Sequence, residues 1–228
     1  MDEFIFILEL IGTVAFASSG AMIAIEKKMD IFGVNVLGAT TAVGGGIMRD
    51  IILGLTPPGA FSHPVYVLVA ALTSTILFVI AYAKPTAFES RVKTDYYDKL
   101  MFWCDTAGLG IFTVVGIQAA VRAVGGENVF FFVFIGTLTG VGGGVLRDIM
   151  AGETPYILVK HIYACAAIAG GIVCVVGRTA FGEAYGTILG LAATVLLRFL
   201  AAHFRWNLMR VSSVSYTHLR AHETKANL

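Results

Sequence analysis

One motif occurs twice in this sequence. The run TAVGGGIMRDIILGLTP at 41–57 returns 98 residues later as TGVGGGVLRDIMAGETP at 139–155, with eleven of the 17 positions identical. The match extends at the same offset through Gly38 and Gly136 and through His63 and His161. At an offset of 96 it takes in Glu9 and Asp105, Gly12 and Gly108, Phe16 and Phe112, and Gly20 and Gly116. Self-similarity at a fixed period means that one structural unit is built twice, which constrains the fold more than any local propensity does.

Hydropathy says what each unit is made of. Of the 228 residues, 57% are hydrophobic and 14% charged, and the mean hydropathy is +0.81. That is too little charge to cover a water-soluble surface, which excludes a soluble cytosolic enzyme, a nucleic-acid binder and a disordered chain. Seven stretches approach the ~20 apolar residues that a bilayer span needs. They run over 4–25, 31–55, 64–83, 100–121, 129–151, 161–177 and 184–202. They are continuously apolar, and in hydrocarbon the backbone must pair internally, so they predict helices and not barrel strands.

The expected fold is therefore an all-α membrane protein of seven transmembrane helices. Three spans per repeat is an odd number, so the second copy enters the membrane from the opposite side. This is an inverted 3+3 repeat with a seventh helix outside it. The expected divisions are a first repeat over 1–83, a polar cytoplasmic linker over 84–99, an inverted second repeat over 100–177, a seventh helix and its end over 178–210, and a disordered or cloning-derived tail over 211–228. The opening MDEFIFILEL has no basic n-region and no cleavage site, so its apolar run is expected to be a permanent span.

Basic residues set the orientation. Loops on the N-terminal side carry Arg122 and Arg178, whereas the other side carries Lys27, Lys28, Lys84, Arg91, Lys93, Lys99, Lys160, Arg198, Arg205 and Arg210. The positive-inside rule puts the N-terminus outside and the C-terminus in the cytoplasm, and Lys160 and Arg198 are expected to reach the cytoplasmic interface. Cys104, Cys165 and Cys174 fall in apolar runs without metal spacing and are expected in the core.

The doubled motif holds the chemistry. The triplets Gly44, Gly45, Gly46 and Gly142, Gly143, Gly144 cost about 1 kcal/mol per glycine relative to Ala within a helix. They predict either a break that turns carbonyls toward a cation path or a small-residue packing seam. Arg49, Asp50, Arg147 and Asp148 are charges inside spans, where each costs at least about 2.5–3.5 kcal/mol, so they must face a bundle interior or water and find partners. Adjacent helix positions do not face each other. The expected partners are Arg49 with Asp148 and Arg147 with Asp50, or the arginines with Glu9 and Asp105. Those two matched carboxylates read either as a cation or proton-linked site or as buried partners for arginine. Charge-stapled helix ends are the alternative for the Arg–Asp pairs, and His63 and His161 sit at span entrances, where an interfacial role is expected. Neither a P-loop lysine nor a metalloprotease or serine-hydrolase box is present, so the chain is read as no enzyme.

Two copies of GGGxxRD in a seven-span chain of three plus three inverted helices resemble the prokaryotic TRIC (trimeric intracellular cation) channels. The same family is also labelled a glycine transporter domain family. The resemblance covers about residues 4–210 and implies a homotrimer in the inner membrane, with membrane lipid around it. It implies a pore in each protomer, the second and fifth spans broken at the glycines, and potassium or other monovalent cations as permeant ions. No cofactor, metal or nucleic acid is implied. The fourth span as read from hydropathy, 100–121, has no lysine, which puts the lysine-dependent gating of the animal members in doubt here. A carrier for glycine or a similar small solute is the alternative activity.

Overall fold

The computed structural model describes residues 2–83, 95–159 and 162–206. The expected tail at 211–228, most of the linker (84–94), Lys84, Arg91, Lys93, Lys160, His161 and Arg210 lie outside the described residues.

The described residues form helices α1 (Asp2–Glu26), α2 (Ile31–Ile52), α3 (Gly59–Ser62), α4 (Val65–Ala83), α5 (Asp95–Val124), α6 (Val129–Met150), α7 (Tyr156–Val159), α8 (Tyr163–Phe181) and α9 (Glu183–His203). All but the short α3 and α7 are long and apolar enough to cross a membrane. The fold is an all-α membrane protein of two inverted three-helix repeats and a seventh spanning helix.

Local chemistry sets the ends of the matched helices α2 and α6. Asp30 caps α2 by accepting from the Gly33 amide at 2.7 Å, and Asn128 caps α6 by accepting from the Phe131 amide at 3.0 Å, which satisfies donors that a helix start leaves unpaired. At the other ends the chain turns through Gly54 (φ +71°) and Gly152 (φ +72°). The next amides, of Leu55 and Glu153, return to the carbonyls of Asp50 and Asp148, both at 2.8 Å, a closure that favours glycine in the left-handed region.

The repeats pack alike and then against each other. Helix α1 packs on α2 and α4 as α5 packs on α6 and α8; α2 crosses α6, α1 meets α5, and α9 lies on α8 and α5. Phe16 and Phe112 join at the centre of this arrangement, with ring centroids 5.2 Å apart. Thr41 and Thr139 spend their hydroxyls inside their own helices, donating to the Leu37 and Ile135 carbonyls at 2.6 and 2.7 Å.

The helices expected to break at their glycine triplets do not. Both α2 and α6 run unbroken through them, because the first two glycines of each triplet are filled from the opposite repeat. A Cβ on Gly44 would come within 3.0 Å of the Leu146 side chain, and one on Gly142 within 3.0 Å of Met48. On Gly45 it would meet the Thr139 carbonyl oxygen, and on Gly143 the Thr41 carbonyl oxygen, again inside 3.0 Å. Close backbone approach offsets the low helix propensity of glycine. It also keeps the helical hydrogen bonds that hydrocarbon would make costly to open. Of the cysteines, Cys174 is buried and Cys104 half-buried, but Cys165 is exposed on α8, outside the core where it was expected.

Candidate functional site

The first repeat opens onto a cavity of about 530 Å³ bordered by Glu9, Arg49, Asp50, His63, Tyr66 and Gln118. A second space of about 260 Å³ shares Glu9, Arg49, Asp50, His63 and Tyr66 and continues past Thr13, Gly46 and Phe112. Gly46 thus borders the space, and a Cβ there would meet nothing closer than Arg49 Nη2 at 3.8 Å. Arg49 donates from Nε to Asp50 Oδ1 at 2.8 Å, and Asp50 Oδ2 accepts from the Gly59 amide at 2.7 Å, fixing the start of α3. Tyr66 donates its hydroxyl to Glu9. Glu9, Arg49 and Asp50 together carry a formal charge of −1, since Arg49 is matched by Asp50. Arg122, at the cavity edge, pairs with Glu183 at 3.3 Å.

The second repeat builds the same parts into a closed cluster. Arg147 donates from Nε to Asp148 Oδ1 at 2.8 Å, and Asp148 Oδ2 accepts from the Tyr156 amide at 2.7 Å. From Nη1, Arg147 also donates to Asp105 at 2.8 Å and to Ser19. Asp105, Arg147 and Asp148 are 3%, 1% and 3% exposed. Arg198, 1% exposed, reaches Asp105 at 3.4 Å. Asp105, Asp148, Arg147 and Arg198 sum to zero charge, so this half is neutral where the first half is negative.

The family described as Glycine transporter matches this chain over residues 6–82 and 102–179, one segment on each repeat. The UPF0126 inner membrane protein YadS of Escherichia coli is 37% identical over 203 residues, covering 88% of this chain and 92% of that one. Among solved structures, the TRIC trimeric intracellular cation channel orthologue from Rhodobacter sphaeroides is 32% identical with a TM-score of 0.78, over 89% of this chain and 99% of that one. The chain belongs to the TRIC, or glycine transporter, family. A prokaryotic TRIC channel solved in 0.5 M KCl has a TM-score of 0.79 and 30% identity over 91% of this chain and 100% of that one.

In this TRIC member the expected Arg–Asp partners change. Arg49 pairs with Asp50 and Arg147 with Asp148 along their own helices; the cross-repeat pairs Arg49–Asp148 and Arg147–Asp50 do not form. The side chain of arginine is long enough to curl back to its neighbour in the last helical turn, so the divergence of adjacent Cβ vectors does not keep its Nε away. The expected pairing of Arg147 with Asp105 does form, whereas Glu9 takes its bond from Tyr66. Arg198, expected at the interface, is instead buried against Asp105, because a neutral partner would leave Arg147 alone to balance two carboxylates. Gly144, the match of Gly46, faces the cluster: its Cβ would lie 3.2 Å from the Tyr163 hydroxyl.

Sequence reasoning missed Tyr66, Tyr163 and Ser19. Tyr66 and Tyr163 are 97 residues apart, as are Gly59 and Tyr156, whose amides bind the matched aspartates. One residue is therefore missing from the second loop opposite Pro58, and an ungapped comparison at 98 slides past the tyrosines.

Proposed function

We propose that this protein conducts monovalent cations, potassium foremost, through a path in each protomer of a homotrimer in the inner membrane. The observation that carries the reading is the net negative cavity of the first repeat, where the Glu9 carboxylate borders open space from within the spanning helix α1. A carboxylate in a span is costly unless it faces water or a partner; one that borders a cavity with its charge unbalanced attracts cations and repels anions. The names of the structural relatives, cation channels at 30–32% identity, support the same reading.

The path we assign runs from Gln118 and Glu9 past Tyr66, Arg49 and Asp50 to Gly46 and Thr13. Gly44, Gly45, Gly142 and Gly143 are the seam that shapes it, and Asp105, Gly144, Arg147 and Asp148 are its closed counterpart. The N-terminus lies outside: with the buried Arg198 removed from the count, nine basic residues still face two, a margin that favours a cytoplasmic C-terminus. The divisions at 83, 99, 177 and 210 remain our assignment of the repeats, linker, seventh helix and tail.

Single-channel recording of the purified protein in potassium, with labelled glycine uptake into liposomes in parallel, tests the function. Unitary currents whose reversal follows the potassium gradient are expected. Saturable glycine uptake without such currents would replace the channel by a carrier.

A further inference from the structure

Glu9 and Asp105 hold matched positions but keep different company. Glu9 borders a cavity with a phenol for a partner, whereas Asp105 is held by two guanidinium groups, at 2.8 Å by Arg147 and at 3.4 Å by Arg198. Arg147 has its equivalent in Arg49. Arg198 has none, because α9 lies outside the repeat.

The surroundings of Arg198 are those of a bound cation. Its guanidinium carbon sits 4.9 Å from the centroid of the Phe102 ring and 4.6 Å from that of Tyr163, and a carboxylate with two aromatic faces is the chemistry that selects a weakly hydrated cation. Its contact with Asp105, at 3.4 Å, is longer than the 2.7–2.9 Å of a well-formed charge-assisted bond. The Nε of Arg198 is buried without a hydrogen-bond partner. Charge and ring faces therefore hold the group, and not a completed bidentate pairing.

We propose that Asp105, Phe102 and Tyr163 form a cation site in the second repeat and that Arg198 occupies it as a tethered cation. The site stands on its own geometry; its consequence rests on the channel reading. With Arg198 seated, a permeant cation meets a positive group at Asp105 and is drawn to Glu9 alone, so the seventh helix makes one of two near-equal halves the conducting one.

Guanidinium chloride at low millimolar concentration, far below denaturing levels, is the probe. In purified Arg198→Ala the vacated site is expected to take it up and raise the thermal unfolding midpoint by roughly 2–4 °C, as a ligand that binds the native state does. Sodium chloride at equal concentration is expected to leave that midpoint in place, and guanidinium to leave the wild type and Arg198→Ala/Asp105→Asn unmoved. An Arg198→Ala midpoint indifferent to guanidinium overturns the site, as does an equal rise in the Asp105→Asn double variant. Should Arg198→Ala not fold, Arg198→Gln, which also vacates the ring faces, enters the same titration with the same expected and overturning results. Potassium flux into liposomes is read alongside: it is expected to rise in the vacated variant and to fall again with guanidinium. Absence of flux in every protein, wild type included, counts against the channel reading and leaves the melting result to judge the site.

Discussion

Phe16 and Phe112 meet ring to ring at 5.2 Å although they are the same residue of the two repeats. Equivalent residues touch only at the axis that relates their units, so this pair marks where one half turns into the other. The glycines beside them make the room: a Cβ on Gly108 would fall on the Phe16 ring, and one on Gly12 would lie 3.1 Å from Phe112.

Removing either ring is expected to destabilise the protein by about 3–5 kcal/mol, the usual cost of truncating a buried phenylalanine. The double variant Phe16→Ala/Phe112→Ala should fall short of the sum by about 0.5–1.5 kcal/mol, the coupling of an aromatic pair. Reversible unfolding of the four proteins in detergent measures it.

Neighbouring glycines should respond oppositely to alanine. Gly45→Ala drives a methyl into the Thr139 carbonyl and is expected to cost about 1–3 kcal/mol of overpacking strain. Gly46→Ala meets only ordinary contacts and gains helix propensity, so its thermal midpoint should hold or rise while its potassium conductance falls as the methyl enters the cavity. Melting curves and unitary currents on both variants check the contrast.

Asp148→Ala and Asp50→Ala remove the same bonds from matched places. Arg147 is buried, and stripping a partner from a buried ion pair costs about 3–5 kcal/mol; Arg49 borders the cavity, where water takes over part of its solvation. The larger loss of stability is expected for Asp148→Ala, by denaturant titration, and equal losses would contradict the difference between an open and a closed half.

Glu9→Gln keeps the size of the side chain and removes its charge. Potassium conductance is expected to fall several-fold and the preference for cations over chloride to weaken, as read from reversal potentials in a KCl gradient. Tyr66→Phe, which leaves the carboxylate in place, should change open times more than selectivity.

The legible parts of this fold were those written as patterns. Span length and the doubled motif predicted the inverted seven-helix architecture, and matched charges predicted the contact of Arg147 with Asp105. What stayed hidden depended on three-dimensional fit. Glycine triplets have one composition whether a helix breaks there or receives a neighbouring carbonyl, and the presence of Thr139 opposite Gly45 decides it. Adjacent Arg and Asp diverge at Cβ, and only the reach of the full arginine side chain brings Nε to Oδ1. Arg198 is one basic residue near a span end, with the pattern of an interfacial anchor, until Asp105 and two rings are found around it. Tyr163 was masked by the single residue missing opposite Pro58.

Carriers built from inverted repeats work by rocking one repeat against the other around a fixed site. Here the Thr139 carbonyl fills the hollow of Gly45 while the Thr41 carbonyl fills that of Gly143, so each repeat is both key and lock for the other at their crossing. Sliding one half along the other would drive carbonyl oxygens into helix backbone on both sides at once. The seam therefore opposes alternating access, and on the channel reading proposed above it assigns opening and closing to side chains such as Arg49, Tyr66 and Glu9 instead of to the repeats.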